Sequence, residues 1–367
     1  MPAASASPDE AIWSRWRAIA ELYHAVFTGL ILAVVTRRGA AAASEFVFRI
    51  FRHQQLERFL PGLEKLGLKR LSHAVAAAQY HYLSNWIGGV PVEYIHESDR
   101  KAWIRYPPPR WIWQGSVIAG IPGEVSRAML RGWHGNNGAV LGNLKLGFVC
   151  TKQAVDGQDG LEGYYYEYDH DLDVDQRVVF AREQEAPPFD FARAPALPVE
   201  AWPRHRLEKA FRNYAMEYVR TAAPIAIQQF GPDDGGHLLR LTAKLIGMQC
   251  FHATARALLP EHAALSAVNS FIGAGSAKVT ARDFAAFLGA MFAAQDDIAV
   301  TSEHVGAIEI AQTGWKLMEG VSWHPACAQL LDGLIEGLAA AAARGIVARR
   351  VSNAADRGVF RWRISGS

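Results

Sequence analysis

The chain has 367 residues, which corresponds to two domains or one large one. Hydrophobic residues make up 50% and charged residues 20%, which excludes a mainly disordered chain and allows sizeable cores. With 38 basic and 36 acidic residues, the charge is too even for a protein whose main task is binding nucleic acid. Three cysteines are too few for a disulfide scaffold, which predicts reduced thiols and a cytoplasmic location.

The N-terminal segment predicts neither an export signal nor a membrane span. Residues 1–9 lack a basic start, and the apolar run after them contains Arg15 and Glu21, whereas a signal peptide has an uncharged apolar core. The uncharged stretch 22–36 includes His24 and is shorter than the ~20 residues that cross a bilayer. We interpret it as a buried helix; an interfacial helix is the alternative.

The first half shows helical periodicity followed by alternation. Apolar residues at helical spacing predict three helices, over about 10–38, 40–58 and 70–87. Two short alternating runs, 92–98 and 101–106, predict a hairpin. A helix over about 123–134 and two strands, over 144–151 and 162–170, complete this half.

The second half repeats this order after a proline-rich, aperiodic segment. Helices are expected over about 205–224, 236–258 and 280–295, and the last begins with the capping-box-like Thr280-Ala-Arg-Asp283. They are followed by an interrupted strand at 306–318, a helix at 325–343, and a hairpin at 345–352 and 358–364.

The fold class predicted from this order is α+β, with two similar modules that each combine helices with an antiparallel sheet. The expected boundaries are an N-terminal module over 10–182, a proline-rich linker over 183–204, and a C-terminal module over 205–365. Because sequence identity between the halves is slight, this is a pseudo-duplication at the level of pattern. Two unrelated α+β domains are the alternative.

Three segments of the second half carry a family resemblance: GAIEIAQTGWKLM, PACAQLLDGLIEGL and IVARRVSNAADRGVFRWRI. Their order resembles the 4-vinyl-reductase-like domain and the related L-2-amino-thiazoline-4-carboxylate hydrolase-like proteins. Cys327, Gly333 and Gly337 stand at positions like the family's, and the final turn contains Asp356-Arg357-Gly358. The first half resembles the hydrolase-like branch more loosely.

The resemblance implies an α+β fold with a pocket between helices and sheet. It also implies the handling of a small molecule, either as a hydrolase or as a binder of hydrophobic ligands. Trp362 stands where the family's last strand normally carries a cysteine. The family's thiol or zinc-type site is therefore not carried over to this chain.

Four clusters contain residue types that could carry chemistry. The first is EGYYYEYDHD, 162–171, where strand alternation places Glu167 and Asp169 on one face and Tyr166 and His170 on the other. Two carboxylates on one buried face would form an acid/base pair or contribute to a metal site. The alternative is that these acids are solvated.

The second cluster is RGWHGNNG, 131–138, at the end of a predicted helix. Its glycines allow close approach to a ligand. Trp133 offers an apolar surface, His134 a base, and Asn137 an amide for a carbonyl or oxyanion. A helix C-cap is the alternative and explains the glycines equally well.

The third cluster consists of side chains from the third predicted helix and the first predicted hairpin. His81 and Asn85 are four residues apart and share a helix face, which would orient a substrate. Arg105 shares a strand face with Trp103 and would hold a carboxylate. An ordinary helix surface, and a cross-strand ion pair of Arg105 with Glu93 or Glu97, are the alternatives.

The fourth cluster, TGWKLMEGVSWHPAC, lies in the second half. Trp323, His324 and Cys327 precede a helix, whose N-terminus would favour a thiolate and Cys-His hydrolysis. The alternative is that Cys327 packs in the core and that the Trp-His pair forms a pocket wall.

These clusters predict a cofactor-independent hydrolase or lyase that acts on a small, partly apolar or aromatic compound. The expected catalytic residues are His134, Glu167, Asp169 and His170. Two alternatives remain: a non-catalytic hydrophobic small-molecule binding protein, and a His/carboxylate metal-dependent hydrolase. No nucleotide-cofactor fingerprint is present in the sequence. The expected partner is a small molecule, and neither a nucleic acid nor a membrane is expected as a partner. The sequence does not decide between a monomer and a homodimer.

Overall fold

The computed structural model describes residues 8–197, 200–259, 279–352 and 359–366, with side chains from residue 13 onwards. The turn at Asp356-Arg357-Gly358 lies outside these residues. The chain divides into two compact units. The continuous unit is Ile31–Ala210, and the discontinuous unit combines the residues up to Leu30 with Phe211–Ser367.

The first helix, α1 (Pro8–Lys65), contributes residues to both units. Its backbone leaves the helical conformation at Gly39, where φ is 84°, in the left-handed region that only glycine adopts readily. The sequence predicts a boundary between two helices at this position. The division into units differs from the expected module boundaries because the helix start, through Leu30, packs with the C-terminal residues.

Among the described helices, α1 has the length and apolar composition of a membrane span. In this structure, 67% of its most apolar window is buried inside the chain. Leu22, Phe27 and Ile31 are each at most 1% exposed. The burial is that of a core helix, as the sequence predicts.

The continuous unit places helices against a five-stranded sheet. Its helices after α1 are α2 (His73–Ile87), α3 (Gly123–Gly132) and the single turn α4 (Asn137–Val140). Its strands are β1 (Glu93–Ser98), β2 (Lys101–Tyr106), β3 (Leu146–Lys152), β4 (Leu161–Glu167) and β5 (Val178–Phe180). The order is β1-β2-β4-β3-β5, and only β5 runs parallel to its neighbour. The sequence does not predict β5.

Strand alternation gives this sheet two different faces. Phe148 and Tyr165 are paired across β3 and β4 and are fully buried on one face. On the other face, Trp103, Val149 and Tyr164 form a separate buried cluster, against which Ala186 of the predicted linker packs. The linker segment therefore covers part of the sheet.

The discontinuous unit combines the start of α1 with longer helices and a four-stranded sheet. Its helices are α5 (Arg204–Phe230), which begins in the continuous unit, α6 (Pro232–Leu258), α7 (Ala281–Ala294) and α8 (Gln329–Ala342). Its strands are β6 (Ile298–His304), β7 (Ala307–Thr313), β8 (Val347–Arg350) and β9 (Val359–Ser365). All pairs are antiparallel, in the order β6-β7-β9-β8.

Three local features of this unit bear on the sequence predictions. The capping box of α7 is present, with Thr280 and Asp283 bonded to each other's backbone N–H groups. Helix α5 was expected to end at 224 but continues through Pro224, and Ala223 and Ala226 beside it are fully buried. Strand β6 was not expected, because almost all of its residues are exposed and show no alternation.

Helices α6 and α8 approach closely along two glycines. A Cβ atom on Gly333 would lie 2.0 Å from the carbonyl oxygen of Arg240, and one on Gly337 would lie 2.0 Å from that of Lys244. Only glycine fits at such a separation, which explains the glycine spacing seen in the sequence.

The two sheets share one strand order over their first four strands, β1-β2-β4-β3 in one unit and β6-β7-β9-β8 in the other. In both units a helix precedes the first hairpin, and helices separate that hairpin from the last two antiparallel strands. The predicted α+β fold with two helical-plus-antiparallel-sheet modules is confirmed.

Candidate functional site

A buried group of polar aromatic and amide side chains lies in the continuous unit, between helices and the inner sheet face. We call it the His-Tyr centre. Each member is at most 6% exposed, and the members are His81, Tyr106, His134, Asn137 and Tyr165. They come from α2, β2, the turn after α3, α4 and β4.

Two glycines bring the α3–α4 segment close to its neighbours. A Cβ on Gly132 would lie 2.7 Å from the carbonyl oxygen of Phe48 in α1. A Cβ on Gly138 would lie 2.5 Å from the carbonyl oxygen of Leu146. The glycines of the 131–138 motif thus serve close backbone packing, which places His134 and Asn137 beneath the sheet.

A chain of hydrogen bonds runs from α1 into the centre. Arg52 Nη1 donates to Gln55 Oε1, and Gln55 Nε2 donates to Asn137 Oδ1 at 3.1 Å. Asn137 Nδ2 then donates to the Tyr165 hydroxyl at 2.8 Å. The Tyr165 hydroxyl lies 2.7 Å from His134 Nδ1.

The direction of this chain follows from its first member. A guanidinium can only donate, so Gln55 must accept at Oε1 and donate from Nε2. Asn137 accepts that bond and therefore offers its amide hydrogens to Tyr165. Tyr165 has one hydrogen of its own, and the arrangement that uses this hydrogen directs it to His134 Nδ1, with the imidazole proton on Nε2. Nε2 of His134 has no hydrogen-bond partner among the described residues.

A second branch holds the other imidazole. His81 Nδ1 lies 3.3 Å from the Tyr106 hydroxyl, which also accepts from Asn85 Nδ2 at 3.2 Å. His81 Nε2 lies 3.4 Å from Asn137 Nδ2, and the rings of His81 and His134 stack at 4.3 Å. Asn137 therefore joins the two branches.

Burial keeps three titratable side chains of the centre, those of His81, His134 and Tyr165, uncharged at pH 7. Burial lowers the pKa of His81 to about 3. Burial, followed by His81 and Arg110, holds the pKa of His134 well below its ordinary 6.5. Burial, followed by Tyr106, raises the pKa of Tyr165 well above 10. Both imidazoles and the phenol therefore stay uncharged across the physiological range.

This arrangement makes His134 a hydrogen-bond donor rather than a base. Its Nδ1 lone pair is occupied by Tyr165, and Nε2 carries the proton. A neutral imidazole N–H of this kind can bind and polarise an acceptor oxygen. Beside it, the buried indole Nε1 of Trp133 has no hydrogen-bond partner among the described residues, and the Trp133 ring lies 5.8 Å from that of His81.

The structure brings together only part of the predicted site. His81, Asn85, Trp133, His134 and Asn137 meet around one buried centre. The prediction that His134 lies beside Glu167, Asp169 and His170 is wrong.

The acidic group lies at the end of β4. Asp169 is bound to Arg100 at 2.7 Å with its side chain 88% exposed, and His170 is exposed. Glu167 is half-buried and accepts from Asn143 Nδ2 at 2.9 Å. The expected acid/base pair is absent because β4 ends at Glu167, so the alternation does not carry Asp169 under the sheet.

Three further predicted residues lie on the opposite sheet face. Trp103 packs on Tyr164 there, and Tyr166 packs against the same cluster. Arg105 contacts three carboxylates, Glu93 at 3.0 Å, Asp159 at 3.3 Å and Glu162 at 3.6 Å. It is the cross-strand partner of Glu93, as the alternative interpretation expected.

The fourth predicted cluster belongs to the discontinuous unit. Trp323 packs edge-on against Trp315 at 5.4 Å, and the exposed His324 accepts from the backbone N–H of Ala326 through Nδ1. Cys327 is fully buried, and burial raises the pKa of its thiol to about 12. The prediction of a thiolate at Cys327 is wrong, because burial in the core disfavours a charged sulfur more than a helix N-terminus favours it.

Four residues of this network were not predicted from the sequence: Arg52, Gln55, Tyr106 and Tyr165. A signal for Gln55 exists, since it lies midway between Phe51 and Phe59 at four-residue spacing, and all three are buried. A polar residue within an apolar helical stripe requires a buried partner.

A second buried polar network lies in the discontinuous unit. Asp297 Oδ2 accepts from Gln295 Nε2 at 2.7 Å and from Gln312 Nε2 at 2.8 Å, while Oδ1 accepts from the Lys316 backbone N–H at 2.6 Å. Tyr23 of α1 donates to Gln295 Oε1 at 2.8 Å. Burial raises the pKa of Asp297 to about 6. Each polar atom has a partner, which indicates a structural network.

Within the described residues, no group of three or more His, Cys, Asp or Glu side chains is placed to hold a metal ion. No family model matches the chain, and neither does any curated protein or solved structure. The resemblance to the 4-vinyl-reductase-like domain therefore stays a prediction.

Proposed function

We propose that the chain binds a small, partly apolar molecule at the His-Tyr centre, through a hydrogen bond from His134 Nε2–H to an acceptor oxygen of the ligand. The observation that supports it is the direction of the hydrogen-bond chain from Arg52 to His134. Four side chains, those of Arg52, Gln55, Asn137 and Tyr165, favour the proton on the ring nitrogen of His134 that makes no hydrogen bond with the described residues.

The surroundings favour an aromatic or partly apolar ligand. The rings of Phe148 and His81 lie 4.4 Å and 4.3 Å from that of His134, and Trp133 flanks His81. His81, His134 and Tyr165 are neutral at pH 7. A ligand with one carbonyl or hydroxyl oxygen matches such a site, because the donor is a neutral N–H surrounded by aromatic rings.

Hydrolase or lyase chemistry is the second candidate. The same neutral N–H would polarise a carbonyl and stabilise developing negative charge on its oxygen. General-base catalysis by His134 is not supported by its occupied Nδ1. This candidate therefore keeps the small-molecule substrate of the sequence prediction but changes the role of His134 from base to donor.

The proposal is tested with acetophenone, a neutral aromatic ketone, as the probe. Nitrogen-15 NMR of labelled histidine should show His134 as the Nε2–H tautomer at pH 7, and acetophenone should shift its Nε2 resonance. His134→Phe should abolish binding, whereas His170→Phe, which alters an exposed histidine, should leave binding unchanged. An Nδ1–H tautomer, or equal binding by all three proteins, would contradict the proposal.

Hydrolysis of a model ester distinguishes a binding protein from a hydrolase. Release of nitrophenolate from 4-nitrophenyl acetate that depends on His134, and not on His170, supports the hydrolase. Binding of acetophenone without such release supports a binding protein. A cytoplasmic location belongs to this proposal, and it agrees with the three unpaired cysteines, Cys150, Cys250 and Cys327.

A further inference from the structure

The four-stranded sheet of the discontinuous unit has one buried face and one exposed face. On the buried face, Ile310, Trp362 and Ile364 are at most 1% exposed. Side chains alternate along a strand, so the residues between these point away from the core. None of those that the structure describes is buried. We call this surface the outer face; it is formed by alternate residues of the four strands, from Ile298 in β6 to Arg349 in β8.

Three arginines lie together on the outer face, on the neighbouring strands β8 and β9. Arg349 is directly opposite Arg363 in the register, and Arg361 is two residues before Arg363 on β9. Glu309 of β7 pairs with Arg361 at 3.1 Å and with Arg363 at 3.7 Å. Arg349 is exposed and has no ion-pair partner within the described residues. Three positive charges therefore meet one negative charge.

The position of Arg349 opposite Arg363 is unfavourable for the sheet alone. Like charges directly opposite each other on neighbouring strands repel and destabilise the pair. A bound ligand with carboxylates would remove this repulsion, and each carboxylate could accept two parallel hydrogen bonds from a guanidinium. The arginines thus favour an acidic ligand over a neutral or basic one.

Apolar side chains lie beside the arginines on the same face. Ile298 and Val300 of β6 are 67% and 62% exposed. Val347 and Val351, two residues before and after Arg349, are exposed as well. Clustered apolar side chains of this kind mark interaction sites. The described residues of the outer face include no aromatic ring on which the bases of a single strand could stack, so the surface matches a polypeptide better than a nucleic acid.

The continuous unit shows how such a face is covered. Its sheet has the same order over the first four strands. Ala181 and Ala186 pack there on the Trp103 cluster, on the face opposite to Tyr165. Glu185, from the same segment, pairs with Lys152 of β3 at 3.2 Å. A partly apolar segment with glutamates therefore covers this face in one unit, whereas the outer face of the other unit is exposed to solvent among the described residues.

We propose that the outer face binds an acidic, partly apolar segment of a partner protein. Carboxylates of the segment pair with Arg349 and Arg363, and its apolar side chains cover Val300 and Val347. Three inter-strand spacings of ~4.8 Å make the face roughly 14 Å wide, which about five extended residues cross. A second copy of the outer face would bring arginines against arginines, so the segment comes from a different, acidic surface.

The probe is a fluorescein-labelled peptide, EQEAPPFDF, which is the sequence of residues 183–191 and combines acidic with aromatic side chains. Fluorescence anisotropy on the full chain should show binding of this peptide. The peptide KQKAPPFKF, in which lysines replace the acids, should not bind. Failure of the acidic peptide to bind, or equal binding of both peptides, would overturn the proposal.

Charge reversal tests the role of the arginines. Arg349→Glu should weaken binding of EQEAPPFDF by about ten-fold or more, because repulsion replaces an ion pair. The sheet should stay folded, since a carboxylate opposite Arg363 is a favourable cross-strand pair; circular dichroism verifies this. Arg37→Glu makes the same change on an exposed residue of α1 and should leave binding unchanged. Equal effects of the two substitutions would contradict the assignment of the face.

Methyl NMR of labelled valine locates the bound peptide. The signals of Val300 and Val347 should shift, and that of Val174, an exposed valine of the continuous unit, should not. Shifts at Val174 without shifts at Val300 and Val347 would overturn the proposal. Tighter binding of a short single-stranded polyuridine than of the acidic peptide would also overturn it, in favour of a nucleic-acid surface.

Discussion

Tyr165 links Asn137 to His134 in the hydrogen-bond chain of the His-Tyr centre. Its hydroxyl accepts from Asn137 and donates to His134, and its side chain is fully buried. Removing the hydroxyl leaves His134 Nδ1 and one of the two amide hydrogens of Asn137 unpaired in a dry environment. A buried polar group without a partner costs about 1–3 kcal/mol.

Tyr165→Phe should therefore lower the free energy of unfolding by about 2–4 kcal/mol, from two unpaired groups. Urea denaturation at pH 7 measures it. Tyr166→Phe is the matched control, because Tyr166 is the next residue of β4, on the opposite face, and its hydroxyl makes no hydrogen bond with a described residue. Equal effects of the two substitutions would contradict the account of the centre.

At the scale of elements, the discontinuous unit depends on how closely α6 and α8 pack. The backbone of α6 occupies the positions where Cβ atoms of Gly333 and Gly337 would lie. A methyl group at either glycine forces the helices apart, because the atoms in its way belong to the backbone of α6.

Gly337→Ala should destabilise the protein by about 2–3 kcal/mol or more, because overpacking moves backbone rather than a flexible side chain. Gly289→Ala is the control: this glycine of α7 has open space around its Cβ position. Alanine should stabilise that helix by about 0.5–1 kcal/mol. Thermal unfolding of both variants measures the difference, and a neutral Gly337→Ala would show that the helices separate easily.

Sequence periodicity was sufficient for most elements but not for those without an apolar pattern. Helix α2 and the hairpin of β1 and β2 were predicted close to their observed bounds. Strand β5 has three residues, and β6 is almost wholly exposed, so neither has the alternation that identifies a strand.

Some residues of the candidate site could be suggested from the sequence, and their hydrogen-bond partners could not. Residue types alone suggested His81, His134 and Asn137 as candidates, because imidazole and amide groups offer acid/base and hydrogen-bonding chemistry, and these three side chains lie together in the structure. Their partners Gln55 and Tyr165 come from α1 and β4, far away in sequence, and no local pattern states which distant elements meet. The error about Asp169 has the same origin, since it assumed that β4 continues beyond Glu167.

At the scale of the whole molecule, each unit contains a buried group whose contribution to stability changes with pH, and the two contributions change in opposite directions. The pKa of His81 in the folded state is about 3, below its ordinary 6.5. The unfolded state then binds more protons, and stability falls as the pH falls from 6.5 towards 3. The pKa of Asp297 is about 6, above its ordinary 3.8, so the folded state binds more protons and stability rises as the pH falls from 6 to 3.8.

The substitution Asp297→Asn removes the pH-dependent contribution of the Asp297 carboxyl group to stability. The stability of the unsubstituted protein relative to this variant should rise by about 2 kcal/mol between pH 7 and pH 4, most of the value of about two pKa units at 1.36 kcal/mol each. Urea denaturation at unit pH intervals measures the difference. Asp169→Asn, at an exposed carboxylate, should show a much smaller change. A difference that does not vary with pH would show that Asp297 titrates normally.

The discontinuous unit also has a consequence for the order of folding during synthesis. The residues of α1 through Leu30 leave the ribosome before their partners do, since Tyr23 bonds to Gln295 and Phe27 packs on Tyr218. The continuous unit can complete its core as soon as Ala210 has emerged. The nascent helix start must wait, with its apolar face uncovered, until most of the residues that follow are translated, and uncovered apolar surface of this kind is prone to aggregation.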